Sequence, residues 1–275
     1  MRAGEPSATA YGAARHRAMH QVLEGGRIFH DPLAWRILGT NHDQLLASGG
    51  YTDRPGLRIL IAVRHRFGED RLAEAITRGT RQVIILGAGL DTFAYRNPYH
   101  DVITYEVDFP ATGAWKQERL AAAGIVDPPT LRRVGVDFET DDFVARLVEA
   151  GFDAAQPAFF LWLGVVPYLT RDSVQQTLAA IAGIPVAEVV FDYSNPADQL
   201  SKRGRLDRQA FSDRVRRIGE PMLTTFDTAE LHELLAGLGL RRIVDLDRTA
   251  IRARYLGLPP DGEPGGARVI AARAG

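Results

Sequence analysis

The 275-residue sequence predicts an α/β fold: a mostly parallel sheet wrapped by helices on both faces, preceded by a helical cap. Three observations predict it. From residue 82 onward, short apolar β-forming runs alternate with helical runs, the pattern of repeated β-α-β units. Runs such as VIIL at 83–86 and AFFLWL at 158–163 are apolar without alternation, as strands buried on both faces must be. The first 80 residues hold helical patterns and no strand.

In chain order, residues 8–24 read as a helix stopped by Gly25 and Gly26. Asp31-Pro32 reads as a helix start, Asp31 as N-cap and Pro32 in the first helical position, which predicts a short helix over 31–38. A polar, Gly-rich loop covers about 39–56. Residues 57–77 place Leu57, Leu60, Ile61, Val63, Phe67, Leu72 and Ile76 at helical spacing and end at Gly79. Strands are expected at 82–86, 102–107, 131–136, 158–163 and 186–192, with helices at about 91–96, 110–123, 139–150 and 171–182 between them. Residues 196–218, rich in Arg, Asp and Ser, break the rhythm and read as an inserted helix or lid. A helix at 228–236 precedes strands at 240–246 and 267–273. The Pro/Gly-rich loop 257–266 between these strands lets them pair antiparallel. The expected organisation is a cap of residues 1–80 and a core of residues 81–275 with an insertion at about 196–226.

Composition narrows the function. A formal net charge of -1 gives no electrostatic reason to bind nucleic acid or an anionic membrane. The chain has no cysteine, so disulfides, thiolate metal sites and a cysteine nucleophile are excluded. No apolar run approaches the roughly 18 residues of a membrane span, and residues 1–17 have no apolar signal segment. A soluble cytoplasmic protein is expected, and a homodimer stays open. Lys116 and Lys202 are the only lysines among 33 basic residues, which reads as a GC-rich coding bias.

The chemistry concentrates at residues 81–110. The run Val83–Leu86 meets a Gly87-Ala88-Gly89 turn, and Asp108 closes a second apolar run about 20 residues later. That is the layout of a nucleotide-binding β-turn-α-β unit. The glycines let a ligand approach the backbone at a helix N-terminus, and the carboxylate grips ribose hydroxyls. An ordinary strand-to-helix turn would also use Gly-x-Gly. A nicotinamide enzyme would want a third glycine where Thr92 stands. No tyrosine here has a lysine four residues later, and there is no Walker-type Gly-Lys-Ser/Thr.

The wording of these segments resembles the leucine carboxyl methyltransferase-like family of S-adenosylmethionine (SAM) methyltransferases, which includes polyketide O-methyltransferases. The matching text is DPLA at 31–34, LGAGLDT at 86–92 with Tyr95-Arg96, and EVDFP at 106–110 with Lys116 downstream. It continues with VDF at 136–138, PYLT at 167–170, GEP at 219–221 and FDTAEL at 226–231. The resemblance implies a class I methyltransferase, Rossmann-like sheet, five parallel strands followed by a terminal antiparallel pair. It implies SAM as cofactor and no metal. Arg64 would hold the SAM carboxylate, Gly87 would accept from its amino group, and Asp108 would take the ribose. Asp137 and Phe138 would face adenine, with Asp137 also suited to cap the helix expected at 139–150. Ala88, Gly89, Phe109, Leu163 and Gly164 would complete the cofactor wall. Three positions depart from the family pattern. Leu163-Gly164 stands where many relatives have Glu-Gly, Phe93 where many have Arg, and Ile85 where most class I methyltransferases have an acidic residue.

The implied activity is SAM-dependent O-methylation of a carboxylate or hydroxyl of a small molecule such as a secondary metabolite. A SAM-fold module without transferase activity is the alternative, favoured by Leu163 and Phe93; a nicotinamide oxidoreductase comes third. Candidates for the acceptor pocket are Tyr11, Arg15, His16, Trp35, His65, Tyr168, Tyr193 and Arg205. His16 and His20 sit four apart on the first helix, but no third metal ligand accompanies them. The arginines of 203–217, interleaved with Asp207 and Asp213, read as a solvated helix with internal ion pairs.

Overall fold

The computed structural model describes residues 7–47, 54–264 and 266–275. Its centre is one seven-stranded sheet in the order β3-β2-β1-β4-β5-β7-β6. The strands are β1 (Gln82–Leu86), β2 (Ile103–Asp108), β3 (Leu131–Gly135), β4 (Ala158–Trp162), β5 (Glu188–Ser194), β6 (Arg242–Leu246) and β7 (Ala267–Arg273). β1 to β5 pair in parallel, and β7 runs antiparallel to both β5 and β6. The order reverses between β1 and β4, which opens a crevice at the carboxyl ends of those strands.

Every residue of β1 and β4 is buried, because both faces of the sheet are covered. Ile84 and Leu86 join one core with Phe160, Trp162, Val189 and Phe191, under the helices α6 (Phe143–Glu149), α7 (Arg171–Ala182) and α9 (Thr228–Gly237). Val83 and Ile85 join the other core with Phe159, Leu161 and Val190. That second core is closed by α3 (Pro55–Thr77), through Ala62, Val63, Phe67, Leu72 and Ala75. A Cβ on Gly68 would stand 2.6 Å from Leu161 Cδ2, so glycine lets this helix seat directly on the sheet. The third helix of the expected 1–80 cap is thus a layer of the core.

The remaining cap consists of α1 (Ala8–Leu23), a run of turns at 32–39, and α2 (His42–Ala47). Ser7 caps α1 by accepting from Ala10 N at 3.1 Å, and Gly25 and Gly26, both left-handed, end it. The helix expected at 31–38 is a series of turns. Asp31 does accept from Leu33 N (3.1 Å), but its other oxygen is drawn to Arg17 (3.0 Å), and the chain turns away after one bond from Ile37 N to Leu33 O. The expected loop at 39–56 contains α2. Its start is a reciprocal cap, Gln44 N to Asn41 Oδ1 (2.9 Å) and Asn41 N to Gln44 Oε1 (3.1 Å). Part of that loop, 48–53, lies outside the described residues.

After β1 come the short α4 (Phe93–Arg96) and, after β2, α5 (Pro110–Ala122). The insertion expected at 196–226 contains α8 (Lys202–Arg217), which buries Val215 and carries the ion pairs Arg203–Asp207 and Arg216–Asp213 on its surface. The short α10 (Arg248–Ile251) follows β6 and continues as a wide turn to Leu256, so the loop before β7 begins at 257.

Candidate active site

The crevice groups fall in a line that follows the strand order. Asp137 lies just past β3, Asp108 ends β2, Gly87 to Gly89 follow β1, Leu163 and Gly164 follow β4, and Asp192 sits near the end of β5. Neighbouring strands are about 4.8 Å apart, so the line is about 19 Å long.

The glycine turn is held against β2. Gly87 N and Ala88 N both donate to Val107 O, at 2.8 and 3.1 Å. Gly87 and Gly89 have φ of 66° and 47°, a region costly to other residues. A Cβ on Gly87 would lie 2.3 Å from Val165 Cγ2, and one on Gly89 would lie 2.9 Å from Ala10 Cβ. The turn is therefore closed on by the segment after β4 and by the start of α1. Asp108 completes it: Oδ2 accepts from Gly89 N at 2.5 Å and Oδ1 from Phe109 N at 2.7 Å. Burial pushes the Asp108 carboxyl up to about 6, against the pull of those two N–H groups and of Lys116.

On the other side of the turn, Arg64 reaches from α3 to the end of β4. Its Nη1 donates to Asp192 Oδ2 at 3.0 Å, and Gly164 N donates to Asp192 Oδ1 at 2.5 Å. Gly164 has φ of 77°, and a Cβ there would fall 2.5 Å from Arg64 Nη2. The Nη1/Nη2 end of the guanidinium thus fills the space that a side chain at 164 would take. Among the described residues Arg64 Nε has no hydrogen-bond partner, although the side chain is only 9% exposed. Leu163 packs partly buried against the core under α3. At the far end, Asp137 accepts from Glu139 N (3.0 Å) and its own N–H donates to Asp141 (2.9 Å). It shapes a turn; the cap of α6 is Asp142. Phe138 leans on Phe143, ring centroids 6.2 Å apart.

Beneath the crevice lies a buried polar layer. Lys116 Nζ stands 2.8 Å from Glu106, both nearly inaccessible, and faces the Tyr95 ring. Arg17 of α1 pairs with Asp31 and donates to Leu90 O at 2.5 Å, which ties the cap to the glycine turn. Asp91 accepts from Phe93 N (2.7 Å) and faces His65 Nε2 at 3.3 Å. Burial pushes the Asp91 carboxyl up, but His65, Arg17 and Arg96 together hold it well below the usual carboxylate range. Arg96 in turn binds Glu69 and Thr92.

α1 is strapped across the crevice by Glu220. Its carboxylate accepts from Ala8 N (2.8 Å), Thr9 N (3.0 Å) and Ser7 Oγ (3.3 Å), while Ser7 N reaches Thr112 Oγ1 at 3.3 Å. An anion at a helix N-terminus is favoured by the dipole as well as by the free N–H groups. Tyr168 bonds Thr9 and lies near Arg64 and Asp192; burial pushes its phenol up to about 12.

The structure brings some acceptor candidates together and scatters others. His16 is buried on α1, and burial, then Arg58, Arg214, Arg54 and Arg64, push its imidazole down to about 4. Arg15 is beside it, half-buried. His16 and Tyr168 both lie near enough to Arg64 to feel its charge. Tyr11 packs on Trp115 of α5 under Arg119, and Trp35 packs in the cap core beside His42. His65 is locked between Ile61 O (2.7 Å) and Asp91. Tyr193 faces the opposite side of the sheet, donating to Asp245 at 2.7 Å and accepting from the Thr228 hydroxyl at 3.2 Å. Arg205 is exposed on α8 and donates to Leu200 O. Among the described residues no group of three or more His, Cys, Asp or Glu could hold a metal ion. No helix among them is long and apolar enough to cross a membrane.

Sequence reasoning missed Asp192, Glu220, Arg17 and Asp91. Asp91 and Glu220 lie inside the quoted text LGAGLDT and GEP, which is a usable signal; Asp192 and Arg17 have none locally.

A profile of the leucine carboxyl methyltransferase family matches residues 10–182. The chain belongs to this family. Its relatives include a Mycobacterium marinum protein named, provisionally, as a SAM-dependent methyltransferase, 35% identical over 79% of this chain and 74% of that protein. A Mycobacterium bovis protein of the same provisional name is 31% identical over 94% of this chain and 79% of its own length. Two solved structures share the fold. One is a methyltransferase, again provisionally named, from Thermobifida fusca, with TM-score 0.59, 18% identity, and 100% and 97% of the two chains covered. The other is a DUF574 family protein from Streptomyces avermitilis, with TM-score 0.58, 16% identity, and 96% and 97% covered.

This leucine carboxyl methyltransferase family member is a SAM-dependent methyltransferase. Its crevice suits that cofactor. Arg64 Nε is a buried donor of the kind a carboxylate satisfies, and Asp108 presents a carboxylate one strand from the glycine turn.

Proposed function

We propose that the protein is a carboxyl O-methyltransferase acting on a small-molecule acid, with SAM laid along the crevice line. Arg64 binds the SAM carboxylate, the Gly87 carbonyl takes its amino group, and Asp108 takes the ribose hydroxyls. Asp137 and the Phe138 N–H face adenine, while Ala88, Gly89, Phe109, Leu163 and Gly164 form the wall. Bound SAM supplies an electrophilic methyl group on a sulfonium. The protein's share is to hold the acceptor oxygen in line with that methyl and to keep water out. Residues Ser7 to Ala10, fastened by Glu220, are placed for the second task.

The observation that supports the carboxylate reading is that four arginines, Arg58, Arg214, Arg54 and Arg64, lie near enough to the buried His16 to help push its imidazole down. A carboxylate acceptor is ionised at pH 7 and needs no base, whereas a phenol needs one. The candidates serve poorly as bases: His16 is held near 4, Tyr168 near 12, and His65 is bound to Asp91 and Ile61. The resemblance points to a secondary-metabolite acid, such as one derived from a polyketide.

The test is transfer of labelled methyl from SAM to a panel of carboxylic acids and phenols. Methyl esters, recognised by alkaline release of methanol, are expected. Base-stable aryl ethers would overturn the carboxylate reading. Cofactor binding with no product from any acceptor would favour the inactive module that Leu163 first suggested.

A further inference from the structure

We propose that Asp192 reads the α-ammonium of the cofactor, a task that the apolar Leu163 beside it cannot perform. This rests on the placement of the methionine end at Arg64 proposed above.

The amino-acid head of the cofactor is a zwitterion. A site that offers only Arg64 satisfies the carboxylate and leaves a desolvated ammonium beside a guanidinium. That arrangement is unfavourable in a partly buried crevice. The residue directly before the glycine that follows β4 is Leu163, which offers the ammonium no charge. Asp192 supplies a carboxylate at the same place from the neighbouring strand. β5 pairs with β4, and Gly164 N donates to Asp192 Oδ1 at 2.5 Å, so the Asp192 carboxylate touches the backbone of the residue after Leu163. Its other oxygen meets Arg64 Nη1 at 3.0 Å.

Both partners keep unused capacity. An ionised carboxylate offers about four lone-pair positions. The described structure gives Asp192 two donors, Gly164 N and Arg64 Nη1. Arg64 keeps Nε without a partner. Arg64 and Asp192 thus form an ion pair with a free acceptor and a free donor, the complement of an ammonium and a carboxylate on one carbon. The Gly87 carbonyl would take a second N–H of the ammonium. A plain buttress, with Asp192 only steadying Arg64, predicts different binding behaviour.

Calorimetry with S-adenosylhomocysteine and its deamino analogue, which lacks only the α-amino group, separates the two. The wild type is expected to bind S-adenosylhomocysteine at least about tenfold more tightly than the analogue. Asp192→Asn should lose most of that preference while its affinity for the analogue stays within about twofold of wild type. Equal wild-type affinities would overturn the proposal without any variant. An Asp192→Asn protein that weakens both ligands alike and keeps the preference would make Asp192 a buttress only. If Asp192→Asn does not fold, Asp192→Ser provides the same comparison. Arg64→Met should weaken both ligands. Unchanged binding there would remove the placement of the methionine end, a failure distinct from that of Asp192.

Discussion

Titration of Asp108 should control cofactor affinity. Its carboxyl sits at about 6 where 3.8 is ordinary, because burial disfavours the charge more than Gly89 N, Phe109 N and Lys116 favour it. In the proposed placement the ribose hydroxyls donate to the ionised form, so binding and protonation compete. From pH 7 to pH 5 the ionised fraction falls from about 0.9 to about 0.09, and the Kd of S-adenosylhomocysteine should rise about tenfold. Asp108→Asn keeps an oxygen for one backbone N–H but never carries charge. It should bind at least about tenfold more weakly at pH 7, from one charge-assisted hydrogen bond of about 1.5 kcal/mol, and its Kd should be flat over the same range. Glu106, also pushed up by burial, stays beside Lys116 in both proteins, so its titration cancels in the comparison. Folding has the opposite sign. A raised folded pKa contributes stability that is present below 3.8 and lost as pH rises through 6, so the asparagine variant should remain folded at neutral pH. The assay is calorimetry at half-unit pH steps, with circular dichroism as the folding control. A wild-type Kd independent of pH between 7 and 5 would refute the reasoning.

Three further outcomes follow from the geometry. Gly87→Ala combines a left-handed alanine with overlap on Val165 and should cost about 2–4 kcal/mol in urea denaturation; a Val165→Ala background should recover the overlap part only. Arg17→Met takes the nearer of two cations from buried Asp31, leaving Arg96 at 3.9 Å, and should cost about 3 kcal/mol, whereas a loss under about 1 kcal/mol would show that Arg96 or water replaces it. Glu220→Gln removes the charge at the start of α1, and about 1 kcal/mol of local stability should appear as roughly fivefold faster amide exchange in α1, with the sheet unchanged.

The sheet was legible because strands buried on both faces leave apolar runs that need no partner to be recognised. β1, β4 and β7 appear where those runs lie. The glycine turn and Asp108 were legible because their spacing is local. α2 was hidden in a polar stretch, although Asn41 and Gln44 carried a cap signature. The role of α3 was misread because its position before the first strand says nothing of which surface it covers. Asp192 and Glu220 escaped for a topological reason: their partners Arg64 and Ala8 lie 128 and 212 residues away. A carboxylate inside the apolar run of β5 looks like an interruption until Arg64 is set beside it.

The pairing of Lys116 with Glu106 has a practical consequence. With that amine buried, Lys202, exposed at the start of α8, is the one lysine side chain left for amine-reactive dyes. A fluorophore there would sit on the helix that brings Arg214 towards His16. Because the sequence has no cysteine, an introduced thiol on α1 would accept a second dye without cross-reaction. Two probes of orthogonal chemistry could then follow the distance between the insertion and the strap as cofactor and acceptor arrive.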